Sequence, residues 1–265
     1  MTSFSEPRRY GMVNWVGFAN LYKKEVLRFA NVFTQTLLAP VITTLLFLAV
    51  FSLALGRAVD TINGIPFTTF LAPGLIVMAM VQNAFANTSS SVMVSKMQGN
   101  IIDVLMAPIS PLEMVIAYGL GGATRGLVVG TATGIGMSFF VDLPLYSIPL
   151  LILFGFLGSL MLSLLGMIAG IWSEKFDQMA AVTNFIITPL SFLSGTFYSI
   201  SRLPEPFFTI AHFNPFFYMI DGFRYGMIGV SDANIAIGAA VVIAIDLTLI
   251  FIAWRMLTSG YKLRS

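Results

Sequence analysis

Cysteine is absent from the 265 residues, which excludes disulfide staples and thiolate metal sites. Histidine occurs once, so His212 has no second imidazole to share a metal with. Charge is scarce: 10% of residues are Asp, Glu, Lys or Arg, against about 25% in an ordinary soluble domain. That deficit excludes a conventional water-soluble fold. The net charge of +2 leaves no nucleic-acid footprint. No G-x-x-x-x-G-K-[ST] phosphate loop occurs, nor H-E-x-x-H, nor G-x-S-x-G. The chain therefore has no P-loop route to ATP and no recognisable hydrolase nucleophile. Residues 1–33 lack an apolar core followed by a small-residue cleavage site, so the first hydrophobic segment is expected to be a retained span.

Apolar residues fill the space that charge leaves. They make up 57% of the chain, and the mean hydropathy is +0.88. Crossing ~30 Å of hydrocarbon takes ~20 apolar residues in a helix. Six segments qualify: 33–55, 67–94, 112–141, 148–172, 179–198 and 235–257. Their even spread predicts one all-α polytopic membrane domain over residues 1–265, in contact with lipid along most of its length. Pro189 predicts a kink in the fifth segment.

Lysine and arginine orient the spans. With six crossings, Arg8, Arg9, Lys23, Lys24, Arg28, Lys96, Lys175, Arg255, Lys262 and Arg264 fall on one side, and Arg57, Arg202 and Arg224 on the other. The richer side is expected to be cytoplasmic, with both termini there. Residues 203–230 are apolar enough for a seventh span, but Pro204, Pro206 and Pro215 break a continuous helix. A seventh span would also send Lys262 and Arg264 outside. The segment is read as a re-entrant or interfacial helical hairpin on the outer side, between spans five and six.

Two short helices are expected on the cytoplasmic side. In 14–31, Trp15, Phe18, Tyr22, Val26 and Phe29 recur at spacings of three and four, with Lys23, Lys24 and Arg28 mostly opposite. This is the pattern of a helix lying in the membrane interface. In 100–107, Asn100 stands where a cap would and Asp103 three residues on, with Ile101, Ile102, Leu105 and Met106 sharing a face. Such a face either docks another protein or folds back on lipid; periodicity does not choose between them.

Within the spans, Gly122, Gly126, Gly130 and Gly134 form a stripe that lets helix backbones approach. Arg125 and Asp246 lie at similar depth in the third and sixth spans and are expected to pair. The pair reads either as part of a hydrated path or as a structural bridge, the latter favoured. In the hairpin, His212 beside Asn214 and Pro215 reads as turn-stabilising, and Asp221 and Arg224 as an ion pair along one helix. The aromatics from Phe207 to Tyr225 read as a belt at the membrane–water boundary.

The runs NIIDVLMAPISPLEMVIAYGLGGATRGLVVG (100–130), FLAPGLIVM (70–78), TPLSFLSGTFYSISRLP (188–204), HFNPFFYMIDGFRYGMIG (212–229) and GYKLRS (260–265) resemble the bacterial ABC-2-type permeases, in particular the small YadH-type ones. The resemblance covers nearly the whole chain. It implies six spans in the bacterial inner membrane and an exporter of drugs, lipids or glycans. It also implies a permease dimer working with two copies of a separate ABC ATPase that holds ATP and magnesium, the permease itself binding no cofactor. By the same resemblance, 100–107 would be the coupling helix, Glu113 would stand near that contact, and 14–31 would be the interfacial connecting helix. The 200–229 hairpin would help close the pathway, and the first and fifth spans would meet at the dimer contact. A secondary transporter driven by an ion gradient is the alternative, for which Arg125 and Asp246 are thin support and no internal repeat speaks.

Overall fold

The computed structural model describes residues 13–56, 61–62 and 64–263. Arg8, Arg9, Arg57 and Arg264, which entered the charge count, lie outside them. The chain runs α1 (Trp15–Ala30), α2 (Phe33–Leu55), a two-residue-per-strand antiparallel hairpin of β1 (Thr61–Ile62) and β2 (Ile65–Pro66), α3 (Phe67–Met97), α4 (Ile101–Met106), α5 (Pro111–Ser138), α6 (Ile148–Trp172), α7 (Phe176–Val182), α8 (Thr188–Phe192), α9 (Phe207–Phe213), α10 (Pro215–Ile228) and α11 (Ile235–Ser259). The protein is an all-α polytopic membrane protein. Among the described residues, α2, α3, α5, α6 and α11 are each long and apolar enough to cross a membrane.

The expected fifth span is a broken helix. α7 passes into a π-helical turn at Thr183–Ile187 and then into α8, which ends at Phe192. Pro189 has no N–H for the carbonyl four residues back, and the turn before it widens so that the Thr188 N–H reaches Thr183 O, five residues back. From Phe176 to Phe192 the helix extends about 26 Å, short of a full crossing on its own. The expected helical stretch from Leu193 to Tyr198 is turn and bend.

The core is built on α3. In its most apolar window 83% of residues are buried, against 11% for α2 and 22% for α11. α3, α5 and α6 meet at the glycine stripe. A Cβ on Gly126 would sit 2.6 Å from Ser159 Oγ, and one on Gly166 would sit 2.5 Å from Phe85 O. Gly122 faces Thr88 and Ser163, whose hydroxyls hydrogen-bond at 2.6 Å between α3 and α6. Close backbone approach substitutes for the hydrophobic drive that lipid does not supply.

The loops fall into two sets. At one end, Glu174 after α6 pairs with Lys262 after α11 at 2.8 Å, and Lys96 near the end of α3 donates to Ile171 O at 2.6 Å and Ser173 O at 2.7 Å. At the other, Ser199 donates to Asp232 at 2.7 Å just before α11, and Ser147 N–H donates to Gly226 O at 2.8 Å. Residues 203–230 form two short helices, not one. Asn214 separates them with extended backbone, and Gly229 stops α10 in the left-handed region at φ 74°. The 14 residues of α10 reach about 21 Å. The aromatics here do not form a single belt: Phe216, Phe217 and Phe223 are buried, while Phe207 and Phe213 are exposed.

Candidate functional site

At the Lys96 end, α4 is held against the bundle by one side only. Ile101 is buried, Val104 and Leu105 are half-buried, and Ile102 and Met106 project outward, Met106 80% exposed. The shared face expected for all four apolar residues is therefore split. Six residues make under two turns, and the inward side is taken by Ile101 and Leu105. Asn100 does not cap. Its backbone is already helical and its amide donates instead to Gln98 Oε1 at 3.2 Å. Asp103 is exposed, in the first turn of α4. A cavity of about 960 Å³ opens beside this helix, lined among others by Met93, Lys96, Ile102, Met106, Glu174 and Lys262. The hydrogen bond from Lys262 holds the Glu174 carboxyl below the usual carboxylate range, and the same bond raises the Lys262 ammonium.

The true capping box of this region is ten residues further on. Ser110 Oγ accepts from Glu113 N–H at 3.3 Å, and Glu113 Oε2 accepts from Ser110 N–H at 2.7 Å. Glu113 Oε1 is left over, and it accepts from the Asn14 N–H at 2.8 Å. Asn14 in turn donates its amide to Pro108 O at 2.6 Å and caps α1 by accepting from Gly17 N–H at 3.0 Å. One carboxylate thus ties the start of α1 to the α4–α5 turn and the start of α5.

α1 is more deeply docked than an interfacial helix. Leu21, Glu25 and Phe29 are buried, while Lys23 and Lys24 are exposed as expected. Arg28 corrects the pattern. It turns inward, donating to Asn87 O, to Asn87 Oδ1 at 2.9 Å and to Ser90 Oγ at 3.2 Å, with Glu25 3.5 Å from its Nε. Glu25 is fully buried and accepts from Ser91 Oγ at 2.6 Å. Tyr22 hydrogen-bonds Thr124 at 2.9 Å. The apolar spacing of 14–31 predicted the helix but not this polar seat between α1, α3 and α5.

Arg125 and Asp246 do not pair. Arg125 donates to Asn83 Oδ1 at 3.1 Å and faces the α2–α3 side. Asp246 is 3% exposed and neither of its oxygens has a partner among the described residues. Equal depth along two helices leaves their angular positions free, and here the two side chains leave on different faces.

At the opposite end, Asp221 and Arg224 also do not form the expected bridge. Asp221 accepts from Ser231 Oγ at 2.6 Å, Asp232 N–H at 2.8 Å and Ala233 N–H at 3.1 Å, knotting the α10–α11 loop. Arg224, 1% exposed, donates to Gly195 O and lies 4.2 Å from the centre of the Phe70 ring. His212 Nδ1 donates to Phe208 O at 2.9 Å, and its ring packs against Phe208 and Phe217, holding the last turn of α9. Pro215 opens α10 at its first position. Asn214 caps that helix through Phe216 N–H and reaches back to Leu190 O at 3.1 Å and Ser194 Oγ at 2.8 Å.

Three residues that tie these elements together were not singled out by the sequence: Asn14, Glu25 and Lys96. Asn14 carried a readable signal, an N-cap residue immediately before the aromatic periodicity. Glu25 had a local signal in Arg28 three residues on, but its Ser91 contact and the Ile171 and Ser173 contacts of Lys96 are distant in sequence.

Glycine-seamed apolar helices around a buried core, with short amphipathic helices tied to one end and a proline-broken hairpin at the other, define a polytopic membrane protein. Residues 17–228 match the family model described as ABC-2 type transporter, and the chain belongs to that family, as a transport permease. It is 35% identical over 251 residues to the inner membrane transport permease YadH of Escherichia coli strain K12, covering 95% of this chain and 98% of that one. It is also 26% identical over 234 residues to nodulation protein J of Rhizobium leguminosarum bv. viciae, covering 86% and 87%.

Proposed function

We propose that this permease is the membrane subunit of an ATP-driven exporter in a bacterial inner membrane. It moves a hydrophobic or amphipathic substrate out of the cytoplasm while a separate ABC ATPase hydrolyses ATP with magnesium. The permease binds no cofactor itself. The working unit is two permeases on two ATPase copies, and α4 is the element that touches the ATPase.

The observation that carries this reading is the mounting of α4. Its outer side presents Ile102 and Met106 beside an open cavity that Lys96, Glu174 and Lys262 also line. Its inner side rests on Ile101 and Leu105, and the Glu113–Asn14 link continues it into α1 and α5. A force applied at α4 would therefore reach three elements at once. The ATP cycle acts on the permease only through contacts that differ between states, and α4 is placed to make them.

Six crossings are supported by connectivity. The Glu174–Lys262 pair sets the end of α6 beside the end of α11, and the Ser199–Asp232 bond sets residue 199 beside the start of α11. The broken helix between them thus carries the chain from one end of the bundle to the other. The end with Lys96, Lys175 and Lys262 is then cytoplasmic by the positive-inside rule, with both termini on that side. The α9–α10 hairpin is outer and re-entrant, with α10 packed against α6 and α11 and the break at Asn214 tied to Leu190 O and Ser194 Oγ. The exposed faces of α2 and of the α7–α8 helix meet the second permease.

The test is co-purification of the ATPase with Ile102→Asp and Met106→Asp variants. Loss of both the ATPase and transport is expected. Wild-type complex formation and transport in both variants would overturn the docking role of α4.

A further inference from the structure

Arg125 stands near the middle of α5 and opens onto a cleft of about 640 Å³ between α2, α3 and α8. The walls are mixed. Gln35, Thr36, Thr43, Gln82 and Asn83 face it together with Pro40, Phe47 and Phe192. Arg125 is the one charged residue in the lining among the described residues. The two salt bridges among the described residues join Arg28 to Glu25 and Lys262 to Glu174, and neither involves Arg125. Among the described residues its single hydrogen bond goes to the neutral Asn83 amide, and its buried Nε has no partner. Asp246, the carboxylate at similar depth, lies elsewhere.

An arginine at membrane depth is retained against a steep desolvation cost only where something answers its charge. A planar guanidinium with free N–H groups matches the oxygens of a phosphate or carboxylate in a bidentate fork. The polar half of the lining suits a headgroup, and Pro40, Phe47 and Phe192 suit an alkyl chain. We propose that this cleft binds the anionic head of an acidic amphiphile, with Arg125 as its counter-ion and Asn83 orienting the guanidinium. That the amphiphile is cargo rests on the exporter reading; the site itself does not.

The purified permease–ATPase complex in nanodiscs of phosphatidylcholine is given dodecyl phosphate, dodecanol or dodecyltrimethylammonium, and retained ligand is measured by native mass spectrometry. Wild type is expected to retain dodecyl phosphate in preference to the other two. Arg125→Gln lowers that retention at least about tenfold, the scale of one lost charge-assisted contact, while Arg125→Lys keeps most of it. Gln35→Glu, on the exposed rim of α2, lowers it by opposing charge without touching the arginine, which guards against a misfolded Arg125→Gln.

Equal retention of the three probes by wild type, or undiminished retention by Arg125→Gln, would overturn the site. Stimulation of ATP hydrolysis by dodecyl phosphate identifies the head as that of cargo. Displacement of dodecyl phosphate by phosphatidylglycerol, with hydrolysis unchanged, identifies a resident lipid in the same site. Should the ATPase fail to co-purify while the permease alone still selects dodecyl phosphate, the exporter reading falls and the anion site stands.

Discussion

The Asn14 backbone N–H and the Glu113 carboxylate meet at 2.8 Å across 99 residues of sequence. Glu113 already closes a capping box with Ser110, so each of its oxygens has a different task. One holds α5 closed, and the other holds α1 to α5.

Removing that carboxylate should therefore cost two contacts. Glu113→Ala is expected to destabilise by about 1–2 kcal/mol, the range of a lost cap, and to uncouple ATP hydrolysis from transport. Glu113→Gln, whose amide oxygen can still accept, should lose less. A double-mutant cycle with Asn14→Pro, which deletes the N–H donor, measures the link by thermal denaturation. Strict additivity of the two variants would show that no link exists.

The glycine seam predicts opposite outcomes at Gly166 of α6 and Gly134 of α5. Gly166→Val forces a side chain against Phe85 O and should separate α6 from α3, costing about 1–3 kcal/mol or more. Gly134→Ala meets only Ile76 Cδ1 at 3.8 Å and should be neutral or stabilising by up to about 1 kcal/mol through helix propensity. Melting temperatures in detergent distinguish the two.

The Glu174–Lys262 pair predicts a pH window for the C-terminal tail. Glu174 sits below its ordinary value of 4.5, so its contribution is full above 4.5 and is lost as pH falls through the lowered value. Lys262 sits above its ordinary value of 10.5, so its contribution is full below 10.5 and is lost as pH rises through the raised value. The protection factors for amide exchange at residues 260–263, which divide out the intrinsic pH dependence of exchange, should be highest between those limits. Glu174→Gln should flatten the acid side of the profile, and high salt should speed exchange throughout because the pair is exposed.

Arg224 should be intolerant of replacement. Arg224→Met leaves Gly195 O without its donor and removes the cation from the face of Phe70, a loss of about 2–4 kcal/mol. Arg224→Lys should recover only part of it, since a point charge cannot both stack and reach. Thermal unfolding with intrinsic fluorescence checks the order wild type, Lys, Met.

What could be read from the chain beforehand divides by the range of the interaction. Five of the six apolar runs, the break at Pro215 and the glycine stripe depend on local rules and appear where those rules put them. α4 stands where the sequence puts it, yet Asn100 does not cap it; the same pattern of a capping side chain with an acid three residues on does work at Ser110–Glu113, where it caps α5. The ion pairs failed for a common reason. Arg125, Asp246, Asp221 and Arg224 were matched by depth or spacing, whereas their partners are set by the angle at which each side chain leaves its helix. The buried Glu25 and its seat of Ser91, Arg28 and Asn87 join α1 to α3, and no short window of sequence contains both.

The backbone-to-backbone seam of α3, α5 and α6 also has a mechanical meaning. Where Gly166 meets Phe85 O there is no side chain to change rotamer, so these helices cannot slide past one another without opening voids. α2, scarcely buried, and the α7–α8 helix, with its widened turn, have no such constraint. Under the exporter reading, the α3–α5–α6 seam is the keel, and α2 and the α7–α8 helix are the staves that a stroke at α4 could shift against it.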